Sequence, residues 1–260
     1  DPFPGCKKAG AVVSSVGLIG FGRFGKVLAN ILQKGFAIKV YDPNPISSFP
    51  AVEFTGLETV LEEENIFVAV PIRDFKAVIK EIAPNLEHKS TIIDVCSVKI
   101  HPVEVMEKTL PDPVGIIATH PMFGPDSYRT NKRLKMMMNN TRDRHNQFNF
   151  WIRFFSDQGI RILEMSADDH DRLAAQTQGV THFLGRMLKE FGIRKTTIDT
   201  QGFQDLLDLV DQTCNDTWEL FMDLQSFNPY TREMIDDLRQ ATSSVDKKLT
   251  ERNHETMATQ

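Results

Sequence analysis

Cysteine is scarce in this chain: Cys6, Cys96 and Cys214 are the only three in 260 residues, and they lie far apart. An odd, scattered set argues against a disulfide framework and against a zinc site, and it fits a reducing compartment. Long apolar runs are missing too. None approaches the ~20 residues that a membrane span needs, so no membrane partner is expected. The first residues, Asp1 to Lys8, lack the basic-then-apolar layout of a secretory signal. The chain does not start with Met, which leaves room for a removed targeting peptide; cytoplasm is the expected compartment. Positive charge is not in excess: 30 Lys and Arg stand against 35 Asp and Glu, a net −5, which argues against a nucleic-acid partner held through phosphates. Repeats and low-complexity tracts are absent. What is present is 41% hydrophobic and 25% charged residues, ordinary for a globular protein. The length suits about two domains.

The most informative stretch begins at Val16, where a short apolar strand runs into Gly20-Phe21-Gly22-Arg23-Phe24-Gly25. A helix is expected over 23–34, a second apolar strand follows over 36–41, and Asp42 closes it, 22 residues after Gly20. Strand, G-x-G-x-x-G turn, helix, strand and acid together form the dinucleotide fingerprint. In that frame Gly20 permits the tight turn, Gly22 lets the backbone approach a pyrophosphate, and Gly25 lets the helix pack on the sheet. The helix N-terminus then points its N–H groups at the phosphates. Asp42 would accept from the ribose hydroxyls of NAD and repel the 2′-phosphate of NADP, so NAD is favoured over NADP. The competing role for Asp42 is an Asx turn before Pro43.

Up to about Pro125 the chain alternates short apolar runs with helical stretches. Strands are expected over 65–70, 91–95 and 114–119, and helices over 56–64 and 73–82. Continuous apolar runs read as strands covered on both faces, hence a doubly wound, mostly parallel α/β sheet of Rossmann type. Beyond Arg144 the pattern turns helical, over 167–191, 203–224 and 234–249. Met136-Met137-Met138 and Ile160-Arg161-Ile162-Leu163 are two further strands that extend the sheet to about residue 165. The expected division is a dinucleotide-binding domain over 1–144 and an all-helical domain over 145–260, whose apolar faces suit a homodimer.

Ligands of a doubly wound sheet bind beyond the carboxyl ends of its strands. Val70 and Pro71 end one strand and are expected near the cofactor. Asp94-Val95-Cys96-Ser97-Val98-Lys99 ends the next, and Thr119-His120-Pro121-Met122-Phe123-Gly124-Pro125 ends the last. His120 is thus a braced imidazole at the edge that carries Gly20 and Ser97. Ser97 has a competing role as cap of a helix beginning near Val98. His170, within Asp168-Asp169-His170-Asp171, reads as a solvated helix start; these adjacent residues lack metal-ligand spacing, and no metal is assigned.

The His-Pro-Met-Phe-Gly-Pro run at 120–125, the Asp-Val-Cys-Ser-Val-Lys run at 94–99 and the glycine fingerprint resemble the prephenate/arogenate dehydrogenase family, most nearly its plant-type arogenate branch. Stretches around 168–171, 178–186 and 206–221 share the resemblance, which spans about Val16 to Leu249. It implies oxidation of a small cyclohexadienyl substrate at its hydroxyl-bearing ring carbon, with His120 as general base and Ser97 beside the hydroxyl. It also implies that Gln178, Thr181 and His182 line the substrate pocket. At Asp216 the plant-type branch has an acid in arogenate enzymes and Asn in those that prefer prephenate, so the resemblance implies arogenate as substrate. The competing role is a capping box of Asp216 with Glu219. Arg186 suits either a substrate carboxylate or the surface. One departure is clear. The family usually continues after Pro125 with Glu-Ser-Gly-Lys, whereas this chain has Asp126-Ser127-Tyr128-Arg129 through Arg133. Three alternatives compete with an arogenate enzyme. One is a prephenate dehydrogenase. Another is a β-hydroxyacid dehydrogenase, in which the His120 motif has no place. The third is a cofactor-binding regulator of the same fold.

Overall fold

The computed structural model describes residues 14–45, 48–128 and 133–258, with side chains up to 251. Cys6, Ile46, Ser47 and residues 129–132 lie outside the described residues. The chain divides into two compact units, Asp1–His170 and Asp171–Gln260.

The first unit opens with β1 (Ser15–Ile19), α1 (Arg23–Leu32) and β2 (Ala37–Tyr41), followed by β3 (Val52–Phe54), α2 (Leu57–Leu61), β4 (Asn65–Val68) and α3 (Ile72–Ile82). It continues through β5 (Thr91–Asp94), α4 (Ile100–Thr109), β6 (Gly115–Pro121), α5 (Pro125–Tyr128), β7 (Lys135–Arg142), α6 (Phe148–Asp157) and β8 (Arg161–Glu164). The strands form one sheet in the order β3-β2-β1-β4-β5-β6-β7-β8. The order reverses between β1 and β4, which is where a doubly wound sheet opens its ligand crevice. Every pairing is parallel except β6 with β7. Among the described residues the four-residue α5 is the only element between these two strands.

Central strands β4, β5 and β6 are buried at every residue, as their unbroken apolar runs imply. α1 buries Gly25, Val27, Leu28, Ala29, Ile31 and Leu32, a stripe at helical spacing. α6 contributes Trp151, fully buried and edge-on to Phe67 of β4 with ring centroids 4.8 Å apart. The indole N–H of Trp151 donates to Asn65 Oδ1 at 2.9 Å, so the one polar atom of that side chain is satisfied. The first unit therefore runs on beyond Arg144 through β8, and its expected sheet extension is part of it. β3 has no counterpart in the sequence reading; three residues are too few to show a period.

α7 (Ala167–Ala174) widens at Ala175–Gly179 into a π-helical turn and continues as α8 (Val180–Phe191). α9 (Gln201–Cys214), α10 (Trp218–Phe227) and α11 (Thr231–Ala258) complete the second unit. The single helix expected over 203–224 is broken at residues 215–217. Thr217 takes the N-cap of α10 by accepting from Leu220 N–H at 3.2 Å, and Asn, Asp and Thr in a row favour such a break. Among the described residues this unit buries few apolar side chains: Ala175, Phe221, Leu224 and Met234.

Candidate active site

The glycine turn is shaped by close packing. Gly20 has φ +94°, and a Cβ there would stand 2.5 Å from the Ala69 carbonyl oxygen. A Cβ on Gly25 would meet the Gly20 carbonyl oxygen at 2.5 Å, so α1 can start tight against the turn only with glycine at both places. Gly22 is different, since a Cβ there would meet nothing within 4 Å. Gly22 is also the N-cap of α1, which has no side-chain cap and no acid in its first turn. Uncapped N–H groups beside an open backbone surface fit a pyrophosphate. Phe21 points into the core, edge-on to Phe49 and Phe54, so only its backbone faces that surface. Phe24 packs near Phe123, with centroids 6.3 Å apart.

Asp42 ties the turn to the end of β2. Its Oδ2 accepts from Phe21 N–H at 2.6 Å, and its Oδ1 accepts from Asn44 N–H at 2.8 Å, an Asx turn. Each oxygen keeps a second lone pair, so the Asx role and ribose binding are compatible. Arg23 pairs with Asp126 at 2.8 Å across two exposed side chains. Asp126 opens the segment that departs from the family pattern, so that departure reaches the edge of the glycine turn. Val70 and Pro71 follow β4, and Pro71 is the N-cap of α3.

The ends of β5 and β6 are joined underneath by a fully buried ion pair between Lys99 and Asp94. Lys99 also donates to the Thr119 carbonyl oxygen. Asp94 accepts from Cys96 N–H at 3.0 Å and from Thr119 N–H at 3.2 Å, while Thr119 Oγ1 donates to the Asp94 carbonyl at 2.6 Å. Burial pushes the Asp94 carboxyl up, and the Lys99 ammonium with these N–H groups pulls it back. Between the paired residues the chain presents Ser97, half-buried. It does not cap α4, whose N-cap is Lys99.

His120 ends the same network, next to Thr119, and is 4% exposed. Its Nδ1 lies 2.7 Å from Nε2 of His170, with the rings edge-to-face. His170, expected as a solvated helix start, is 3% exposed. The acidic neighbours in sequence hide this, because the partner is 50 residues away. Only its placement one turn into α7 hints that it faces inward. Burial first, then the neighbouring His170 and Lys99, pulls the His120 pKa well below the usual imidazole value. The imidazole is therefore neutral at pH 7.

In the second unit, Gln178 lies in the π-helical turn, a feature frequent at functional sites. Thr181 Oγ1 donates to the Gln178 carbonyl at 3.0 Å. His182 carries a buried Nδ1 with no hydrogen-bond partner among the described residues. Burial lowers its pKa, with the charge of Asp216 opposing and that of Arg186 assisting. Asp216 stands one residue before the α10 cap, so the capping role falls to Thr217. Arg186 spends donors on the carbonyls of Asp216 and Thr217. Among the described residues no group of three or more His, Cys, Asp or Glu side chains could hold a metal ion.

Lys99→Met should cost about 3–5 kcal/mol, because it leaves a carboxylate buried without its partner. Changing both, Lys99→Met with Asp94→Asn, should recover part of that loss. Urea unfolding of the two variants checks this; a harmless Lys99→Met would contradict the buried pair.

Residues 34–161 match the family model "Prephenate dehydrogenase, nucleotide-binding domain", and residues 187–260 match "TYRAAT1-like, C-terminal domain". The chain is 31% identical over 254 residues to arogenate dehydrogenase 2, chloroplastic, of Arabidopsis thaliana, covering 92% of this chain and 71% of that protein. Arogenate dehydrogenase 1, chloroplastic, of the same plant is also 31% identical, with 92% of this chain and 40% of that longer protein covered. Two solved structures share the fold at 18% identity. Prephenate dehydrogenase from A. aeolicus, in complex with hydroxyphenyl propionate and NAD+, has a TM-score of 0.74 with 95% and 94% of the chains covered. Synechocystis arogenate dehydrogenase has a TM-score of 0.67 with 92% and 93% covered. With a nucleotide-binding turn at its start, a buried histidine at a strand end and a relative matched over most of both lengths, this chain belongs to the prephenate/arogenate dehydrogenase family of oxidoreductases.

Proposed function

We propose that the chain catalyses the NAD-linked oxidative decarboxylation of arogenate to tyrosine. The observation that carries this reading is His120: a buried neutral imidazole at the carboxyl end of β6, with one ring nitrogen engaged by His170. With its proton on Nδ1 donated to His170 Nε2, His120 keeps the Nε2 lone pair for a ligand. That nitrogen accepts the proton of the substrate hydroxyl as the same carbon gives up its hydride. The ketone so formed loses the ring carboxylate as CO₂; the electron pair of that bond completes the aromatic ring, and the former ketone oxygen, now a phenolate, takes up a proton. Ser97 would hydrogen-bond the hydroxyl, a reading supported by its half-buried place in the segment that follows β5. When bound, NAD supplies the hydride acceptor. The uncapped start of α1, the open face of Gly22 and the carboxylate of Asp42 are the groups that would hold it, with Val70 and Pro71 beside them.

Asp216 is our candidate for substrate choice. Arogenate carries an ammonium where prephenate carries a keto group, and a carboxylate attracts only the former. Thr217, not Asp216, is the N-cap of α10. Gln178, Thr181 and His182 are our further candidates for substrate binding, on the resemblance alone. Cys96 is buried and Cys214 half-buried. No helix among the described residues is long and apolar enough to cross a membrane.

The helical unit also supports a homodimer. Met187 and Phe191 on α8, Leu206 on α9, and Trp218 and Met222 on α10 are exposed, while few apolar residues of that unit are buried. A second copy would cover such faces.

His120→Asn should lower kcat about 10²–10⁴-fold, the usual worth of positioned proton transfer, with NAD affinity little changed. The wild-type rate should fall only below pH about 6.5, the unperturbed imidazole value, because a depressed pKa delays protonation as pH drops. Near-full kcat in His120→Asn would defeat the assignment. Asp216→Asn should weaken arogenate binding by roughly 1.5–3 kcal/mol and raise prephenate turnover. An unchanged ratio of the two substrates would return Asp216 to a structural role. Sedimentation should give about twice the chain mass of 29.5 kDa; a monomer at working concentration would rule out the dimer.

A further inference from the structure

α8 and α9 approach closely at Gly185, where a Cβ would stand 1.9 Å from Thr213 Oγ1. The Thr213 hydroxyl donates instead to the Leu209 carbonyl at 2.8 Å. This contact brings the next residue of α8, Arg186, to the three-residue link between α9 and α10. Arg186 Nη2 donates to the Asp216 carbonyl at 2.5 Å and to the Thr217 carbonyl at 3.3 Å. Its guanidinium lies over the rings of Trp218 and Phe221, 5.4 and 5.6 Å from their centroids. From the other side, Thr217 Oγ1 accepts from Leu220 N–H. The link is thus pinned at both of its last two residues. All of this lies within the second unit.

We propose that Arg186 is a positioning residue for substrate discrimination, clamping the backbone of the α9–α10 link so that the Asp216 carboxylate stands in one place. This rests on the reading of Asp216 as the partner of the substrate ammonium. The chemistry asks for arginine. A planar donor can lie flat on two aromatic faces while reaching two carbonyls, whereas a lysine ammonium is a compact point charge. Charge alone works the other way, because a cation beside Asp216 weakens its pull on an ammonium. A clamp and a purely electrostatic role therefore differ in sign.

The test is steady-state kinetics of the full chain with NAD and each substrate, for wild type, Arg186→Met, Arg186→Lys, Asp216→Asn and the Asp216→Asn/Arg186→Met pair. Both Arg186 variants should raise KM for arogenate by about tenfold, a misplaced charged contact worth about 1.4 kcal/mol. Their kcat should move by less than about twofold, since positioning of remote binding groups acts on ground state and transition state alike. KM for prephenate should move far less, so the arogenate preference should fall. On the Asp216→Asn background, Arg186→Met should leave the substrate ratio where Asn set it. The clamp is overturned if Asp216→Asn shifts the ratio and neither Arg186 variant does. It is also overturned if Arg186→Met still shifts the ratio without Asp216, or if preference rises in the Met variant alone. Should the Met variant fail to fold, Arg186→Lys, which keeps the charge and most of the packing, decides. An Asp216→Asn enzyme with an unchanged ratio would instead sink the substrate reading itself.

Discussion

The buried pair of Lys99 and Asp94 is the constraint from which the active-site geometry follows. Two opposite charges without solvent exposure are costly to bury, and they persist here because the ammonium also donates to the Thr119 carbonyl and the carboxylate also accepts from the N–H groups of Cys96 and Thr119. That network ties Thr119, one residue past the Asp94–Ala118 pair, to Asp94, and Thr119 is bonded directly to His120. The loop that returns from Asp94 to Lys99 has only four residues between them, so Ser97 is held at the same edge. The positions of His120 and Ser97, the proposed base and its neighbouring hydroxyl, are thus set by a fully buried ion pair. The same burial pulls His120 toward the neutral form that a general base needs.

At the other end of the crevice, glycine plays the part that charge plays at His120. Gly20 and Gly25 are demanded by backbone contact, whereas Gly22 is surrounded by open space. That contrast separates the residues that build the turn from the one proposed to face a ligand. Asp42 joins the two functions. By accepting from Phe21 N–H it braces the turn, and by ending β2 it stands where a ribose would lie.

Much of this was legible in the sequence because it is local. The glycine turn, Asp42 and the run at His120 are short motifs whose meaning depends on strand ends, and unbroken apolar runs mark those ends. The sheet could be read for the same reason, apart from β3, whose three residues carry no period. What could not be read depends on long-range packing. His170 looks solvated among acids, yet it meets His120 across 50 residues. Lys99 looks like part of a motif, and nothing local says that it is buried. Asp216 and Glu219 resemble a capping box, but the cap slid one residue to Thr217, whose hydroxyl reaches Leu220 N–H. Hydrophobic spacing carried 203–224 as one helix because it does not register a three-residue break.

The central claim is that this chain removes hydride and CO₂ from arogenate. The most direct measurement is turnover of arogenate with NAD, following nicotinamide reduction by absorbance and tyrosine by chromatography in the same samples. Reduced cofactor and tyrosine should appear in equal amounts and continue over many turnovers, with arogenate used in preference to prephenate. Binding without turnover, or turnover of prephenate alone, would contradict the account.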